Sequence, residues 1–258
     1  MIGLTISASA AKPLPKIIAH RGASHDAPEN TLAAFKLAWE QGADGIEGDF
    51  YLTADQRVVC IHDKTTKRTG GTELEVTKST YPQLAELDVG AWKGPEFKGE
   101  RIPTFEQVLD QVPAGKYFFV EIKDGPRIVG PIAEILTRKK ADKQHVILIS
   151  FNDEVVKECR KTLPDYQAYL ITSLKDFEKP GRPEAELAAY EQSGAQGMLF
   201  KSTAPVTAEW LKDVRGPLNR TLFCWNVDEP VLGKKMIALG VDFIGSNRPG
   251  FVRAELSK

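Results

Sequence analysis

IIAHRGASHDAPENTLAAF, residues 17–35, carries an apolar run straight into His20, Arg21 and Gly22, and then into a helix-like stripe. In that stripe Leu32, Phe35, Ala38 and Trp39 recur at steps of three and four, the spacing of one apolar helix face. Asn30 or Thr31 is placed to cap it, each offering a short side-chain oxygen ahead of the first turn. A buried strand that ends on a histidine and an arginine and is followed by a helix reads as one βα unit. Its polar residues sit at the carboxyl end of the strand.

The unit repeats along the chain. Strand-like runs fall at residues 16–20, 45–51, 117–122, 145–150, 167–171, 196–200, 221–227 and 242–245. Amphipathic stretches lie between them at 31–41, 104–111, 128–140, 153–162, 183–192, 207–213 and 230–239. Pro183 and Pro230 stand in the first turn, where proline is tolerated. Eight strands, each followed by a helix or a shorter substitute, in a chain of 258 residues predict the α/β class and a (β/α)₈ TIM barrel. A doubly wound sheet would show a glycine-rich turn after its first strand, and the sequence has no GxGxxG. One segment interrupts the rhythm. After an extended run at 58–62, residues 63–102 are rich in Gly, Thr, Lys and Pro, too long for an ordinary connection. They read as a small insertion near the catalytic face, with Trp92 and Phe97 either covering a pocket or packing passively on the barrel.

Composition narrows the partners. With 42% hydrophobic and 27% charged residues the chain has ample material for a core. A net charge of −1, with basic residues dispersed, argues against a broad nucleic-acid or anionic-membrane surface. No apolar run is long enough for stable membrane insertion. Cys60, Cys159 and Cys224 lie far apart without a CxxC and read as buried thiols rather than a disulfide framework or zinc site. Residues 1–15 read as a leader or signal remnant, because Ala8-Ser9-Ala10 has the small-x-small form of a cleavage site. A cleaved signal would make the protein periplasmic or secreted, and an uncleaved leader cytoplasmic. The barrel domain runs over residues 16–258, and the oligomeric state stays open.

In such a barrel the working residues gather at the carboxyl ends of the strands. The first strand ends in His20-Arg21, and the second carries Glu47 and Asp49, two apart and so on one side. The run at 58–62 ends in His62-Asp63, and Glu121 and Lys123 stand two apart at the end of the next strand. Residues 221–227 offer Trp225, and the last strand leads into Ser246-Asn247-Arg248. Three carboxylates meeting at one mouth repel unless a positive charge sits among them, and a hard divalent cation, Ca²⁺ or Mg²⁺, takes oxygen ligands alone. Histidines suit proton transfer near neutral pH, and Arg21 and Lys123 suit an anionic phosphoryl group. Together these groups describe phosphodiester cleavage. Each has a plainer reading: a surface histidine, an exposed acidic strand face, a same-face pair of Glu121 and Lys123, or a helix start at residues 28–31. Their convergence on strand ends of one barrel favours the chemical reading.

HRGASHDAPENT, GADGIEGDFYLTADQRVVCIHD, VEIK and WNVD, in that order from about residue 16 to residue 253, resemble the signature of the glycerophosphodiester phosphodiesterase family. The resemblance implies a TIM barrel with an insertion after its second strand. It also implies divalent-metal hydrolysis of small-molecule glycerophosphodiesters, such as glycerophosphocholine, to sn-glycerol 3-phosphate and an alcohol. Carried over by position, it makes His20 and His62 the acid/base pair and Glu47, Asp49 and Glu121 the metal ligands. Arg21 and Lys123 become phosphate contacts, Trp225 lines the pocket, and Glu29 and Asn30 brace the first loop. A glycerol hydroxyl attacks phosphorus while one histidine takes its proton, the other protonates the departing alcohol, and water opens the cyclic intermediate. Which histidine does which stays open.

Some positions depart from the family pattern. Asn226 and Asp228 stand where Thr and Asn are common, Asn247 where an acid is common, and DKTTKRTGG follows His62. These departures bear on substrate preference. Three other readings compete: phospholipase D-like cleavage of lysophospholipid headgroups, a non-catalytic phosphodiester-binding barrel, and metal-assisted hydrolysis of a non-phosphate substrate.

Overall fold

The computed structural model describes residues 14–258. Residues 1–13, with Ala8-Ser9-Ala10, lie outside the described residues, and so does nearly all of the leader or signal reading. In chain order the elements are β1 (Lys16–His20), α1 (Leu32–Glu40), β2 (Gly45–Leu52), β3 (Val58–Cys60), α2 (Lys67–Gly70), α3 (Tyr81–Ala85) and α4 (Phe105–Asp110). There follow β4 (Tyr117–Ile122), α5 (Val129–Arg138), β5 (Val146–Ser150), α6 (Asp153–Thr162), β6 (Gln167–Thr172) and α7 (Arg182–Gln192). The chain closes with β7 (Gly197–Lys201), α8 (Ala208–Arg215), β8 (Thr221–Trp225), α9 (Pro230–Leu239), β9 (Phe243–Ser246) and α10 (Pro249–Leu256).

The strands other than β3 pair in parallel, β1 with β2, β2 with β4, and so on to β9, which pairs back with β1. The ring is therefore a closed eight-stranded parallel barrel, the (β/α)₈ fold expected from the alternation. All eight residues of β2 are buried, which is what a parallel strand covered on both faces requires. Alternate side chains then divide between two cores. Ile18, Phe119, Tyr169, Leu199 and Phe223 fill the barrel interior, with Phe119 edge-on to Phe223 at 4.8 Å. Ile46, Phe50 and Phe118 point outward under the helices, where Phe105 of α4 packs on Phe50 and Phe118.

Two elements differ from the sequence reading. The extended run at 58–62 is β3, which returns antiparallel along β2 and carries Cys60 opposite Phe50. The final helix α10 buries Pro249 and Val252, too few positions for a periodic pattern, yet it packs against α9 and β1. The segment between β3 and α4 has its own small core of Val76, Leu84, Val89 and Ile102 against Tyr51 and Val59. Trp92 is 45% exposed and its indole N–H donates to the Val89 carbonyl at 2.8 Å, so it lies on that segment's surface. The rings at the barrel mouth are instead Phe151, Phe223 and Trp225. Cys60, Cys159 and Cys224 are buried and free, as expected.

The turn after β1 is tight. Arg21 and Gly22 both have positive φ, 56° and 78°. A Cβ on Gly22 would sit 2.6 Å from the Ala34 backbone carbonyl carbon, inside contact distance of α1. Gly22→Ala combines left-handed strain with that clash, so we expect a loss of ~2–4 kcal/mol, read as a lowered thermal midpoint. A midpoint within a degree of wild type would contradict the role given to this turn.

Candidate active site

The period of two along a strand decides which side chains meet at the mouth. In register, His20 of β1 stands beside Glu47 of β2, and Asp49 of β2 beside Glu121 of β4. Each continues an inward-facing column, so the charged groups of β1, β2 and β4 form one wall. The corresponding positions on β5 to β8 are Ile149, Ile171, Leu199, Phe223 and Trp225, a largely apolar wall opposite. Ser173 joins it, as does Lys201 at the end of β7, whose Nζ lies 5.6 Å from the Trp225 ring centre. A cavity of about 290 Å³ lies between the walls, lined also by His20, Arg21, Glu47, His62, Glu121 and Lys123. A second cavity of about 420 Å³ adjoins it, lined by Glu121, Lys123 and Phe151 together with Tyr51, Glu75 and Asn152.

Glu47, Asp49 and Glu121 offer carboxylate oxygens all within 4.8 Å of one another, and all three are buried. Their charges are unequally compensated. Arg21 Nε lies 3.3 Å from Asp49 Oδ2, Lys123 Nζ lies 3.4 Å from Asp49 Oδ1, and Asn30 Nδ2 donates to Asp49 at 2.8 Å. Burial would raise the Asp49 carboxyl, but Arg21 and Lys123 outweigh it and hold it below the usual range. Glu47 accepts the Arg21 backbone N–H on Oε2 at 3.0 Å, a weaker compensation. Burial and then the neighbouring Asp49 and Glu121 push it well above its ordinary value. Glu121 rises to about 7 for the same first causes, burial and then Asp49, although Lys123 donates to it at 2.7 Å.

The donor set fits a hard divalent cation. Glu47 Oε1 is buried with no hydrogen-bond partner among the described residues, and both raised carboxyls would be ionised at neutral pH by added positive charge. Glu47, Asp49 and Glu121 are the residues that would hold such an ion.

The two histidines are held differently. His62 Nδ1 lies 2.7 Å from Asp63 Oδ1. His20 Nδ1 faces Asn247 Oδ1 at 2.8 Å, and its Nε2 lies 4.0 Å from Glu47 Oε2. Burial, then the Arg21 charge, lowers His20 to about 4, so its imidazole is neutral. Arg68, which the sequence reading missed, joins the two loops. Its guanidinium bonds Asp63 at 2.7 Å and Glu29 at 2.7 and 2.8 Å, while Glu29 also accepts from Arg21 at 3.1 Å. Glu29 thus braces the first loop through two arginines, and Asn30 does so through Asp49 and the Cys60 thiol. Thr31, not Asn30, caps α1, accepting from the Ala34 N–H at 3.2 Å.

Phe151, Asn226 and Asn247 were also not singled out as site residues. Phe151 follows β5, where the alternation ends and no motif marks it. Asn226 and Asn247 read as positions bearing on substrate preference, but neither lines either cavity; both contact His20 Nδ1 from behind. Arg248 stacks on Phe251, 4.2 Å from the ring centre, and does not line the cavities.

Comparison with known proteins gives the family of the chain. The sequence model of the glycerophosphoryl diester phosphodiesterase family matches residues 20–251. A glycerophosphodiester phosphodiesterase of Caldanaerobacter subterraneus is 36% identical over 90% of this chain and 94% of its own. An Oleispira antarctica phosphodiesterase, solved in complex with the product sn-glycerol-3-phosphate, superposes with a TM-score of 0.81 at 25% identity, covering 95% of this chain and 98% of its own. A glycerophosphodiester phosphodiesterase from Parabacteroides distasonis superposes with a TM-score of 0.76 at 26% identity, covering 94% and 97% of the two chains. The chain is an enzyme of the glycerophosphoryl diester phosphodiesterase family, a family of phosphodiester hydrolases.

Proposed function

We propose that this enzyme hydrolyses small-molecule glycerophosphodiesters to sn-glycerol 3-phosphate and an alcohol with the help of a divalent cation, Ca²⁺ or Mg²⁺. The observation that carries the reading is the one cavity lined by His20, His62, Arg21, Lys123, Glu47 and Glu121, with a buried Asp49 oxygen within 4.8 Å of those of both glutamates. A bound divalent ion supplies Lewis-acid stabilisation of charge on the reacting oxygens. Arg21 and Lys123 hold the phosphoryl oxygens. One histidine takes the proton of the attacking glycerol hydroxyl as the new O–P bond forms. The other gives a proton to the alcohol oxygen as the old P–O bond breaks, and the roles reverse when water opens the cyclic phosphate. The two adjoining cavities, which share Lys123 and Phe151, give the two arms of a diester separate places. Trp225 and Phe151 meet edge to face at 6.1 Å and wall the first of them.

Product inhibition tests the phosphate contacts apart from the proton transfers. sn-Glycerol 3-phosphate is expected to compete with substrate, and Lys123→Met to weaken that inhibition by ~10-fold or more, the loss of one charge-assisted bond. Unchanged inhibition in a folded variant removes Lys123 from the phosphate site.

A further inference from the structure

Asp228, in the loop after β8, takes three hydrogen bonds from the end of β9. Its Oδ1 accepts from Ser246 Oγ at 2.8 Å and the Asn247 backbone N–H at 2.7 Å, and its Oδ2 accepts from Asn247 Nδ2 at 2.7 Å. An ionised carboxylate only accepts, so Asn247 must turn its NH₂ to Asp228 and its Oδ1 the other way. On that side Oδ1 faces His20 Nδ1 at 2.8 Å, with the Ser24 hydroxyl, whose one proton is shared with the His20 carbonyl, also at 2.8 Å. An amide oxygen also only accepts. The proton of the neutral His20 ring is therefore on Nδ1, and the lone pair is on Nε2, the nitrogen turned toward Glu47.

We propose that Asp228 is a positioning residue: through Asn247 it fixes His20 in the Nδ1–H tautomer and aims Nε2 at the reacting oxygens. The proposal rests on the proposed reaction and deepens it: with its lone pair on Nε2, His20 is the histidine that takes the proton of the attacking hydroxyl. Asn226 does not compete with Asp228 for this control. Its Nδ2 lies 3.0 Å from His20 Nδ1, which alone would favour a bare Nδ1. No other side-chain partner among the described residues holds that amide, whereas Asp228 holds Asn247. The Asn247 oxygen therefore decides, and Asn226 turns over to present its own oxygen to the ring proton. The amide of Asn247 transmits direction without charge, whereas His62 meets the carboxylate of Asp63 directly.

The chain of contacts can be reversed without changing its shape. In Asp228→Asn the new amide keeps an oxygen for Ser246 and the Asn247 N–H but offers an NH₂ to the Asn247 side chain. Asn247 then turns over, its own NH₂ meets His20, and the ring proton moves to Nε2. Ring ¹⁵N shifts of ¹⁵N-histidine-labelled protein in Mg²⁺ read this directly; the chain has four histidines, and His20→Gln assigns the signal. Wild type is expected to show protonated Nδ1 and unprotonated Nε2, and D228N the reverse, with kcat lowered ~10²–10⁴-fold at nearly constant KM, as for a base held in the wrong tautomer. The double variant D228N/N247D places an acceptor between two donors again, so it is expected to recover the Nδ1–H signal and kcat to within ~10-fold of wild type. A D228N protein that keeps the wild-type tautomer and kcat overturns the proposal. So does one that loses kcat with its tautomer unchanged, or a double variant that restores neither. If D228N does not fold, the double variant decides by the same two readings. If His20→Gln hydrolyses substrate normally while the tautomer shifts follow the pattern above, the catalytic reading fails and the structural relay stands.

Discussion

Replacing His20 or His62 with alanine is expected to lower turnover ~10²–10⁴-fold while leaving the thermal midpoint close to wild type. Both rings line the cavity, and neither belongs to the apolar clusters that hold the barrel together. The loss should fall on kcat more than on KM, because the phosphate contacts of Arg21 and Lys123 remain. Pairing the variants sharpens the test. If the histidines act as a unit on one proton-transfer cycle, H20A/H62A costs little more than either single change. A single variant with near wild-type turnover removes that histidine from the mechanism, and fully additive losses contradict a shared cycle.

Glu47→Gln tests the cation site with a readout besides turnover. Glu47 and Glu121 have raised pKa values because burial and Asp49 oppose their ionisation. For an acid whose folded value is raised, the stabilisation is complete below the ordinary value of 4.5 and fades as pH rises through the folded value, about 7 for Glu121. Metal-free protein is therefore expected to lose thermal stability as pH rises from about 4.5, through about 7 for Glu121, with Glu47 contributing in the same direction. Added Ca²⁺ or Mg²⁺ should restore the stability at pH 7, with protons released on binding. E47Q removes one carboxylate, so it should flatten the metal-free pH dependence. It should also raise the metal concentration for half-maximal activity by ~10–100-fold. An E47Q enzyme with the wild-type metal requirement and melting shift would sink the ligand assignment.

How much of this was readable without coordinates follows from the range of the interactions. Glu47 with Asp49, and Glu121 with Lys123, are two residues apart on strands, so the pleat alone puts each pair on one side, and the barrel's polarity puts both at its mouth. Arg68 carried no local signal: it lies in the four-residue α2, too short for a periodic pattern, and what matters is that it reaches Glu29, thirty-nine residues earlier. The contact between Asn247 and His20 spans 227 residues and exists only because β9 closes the ring onto β1. Departures from a family pattern at Asn226 and Asn247 marked these positions, but as residues of the pocket; the geometry puts them behind the imidazole.

Release of sn-glycerol 3-phosphate from a panel of glycerophosphodiesters, measured with Ca²⁺, with Mg²⁺ and with chelator, tests the central claim most directly. The account predicts metal-dependent release from at least one headgroup, abolished by chelator and restored by the ion that Glu47, Asp49 and Glu121 accept. No release in either metal from a folded protein that binds the ion, or equal release in chelator, would contradict it.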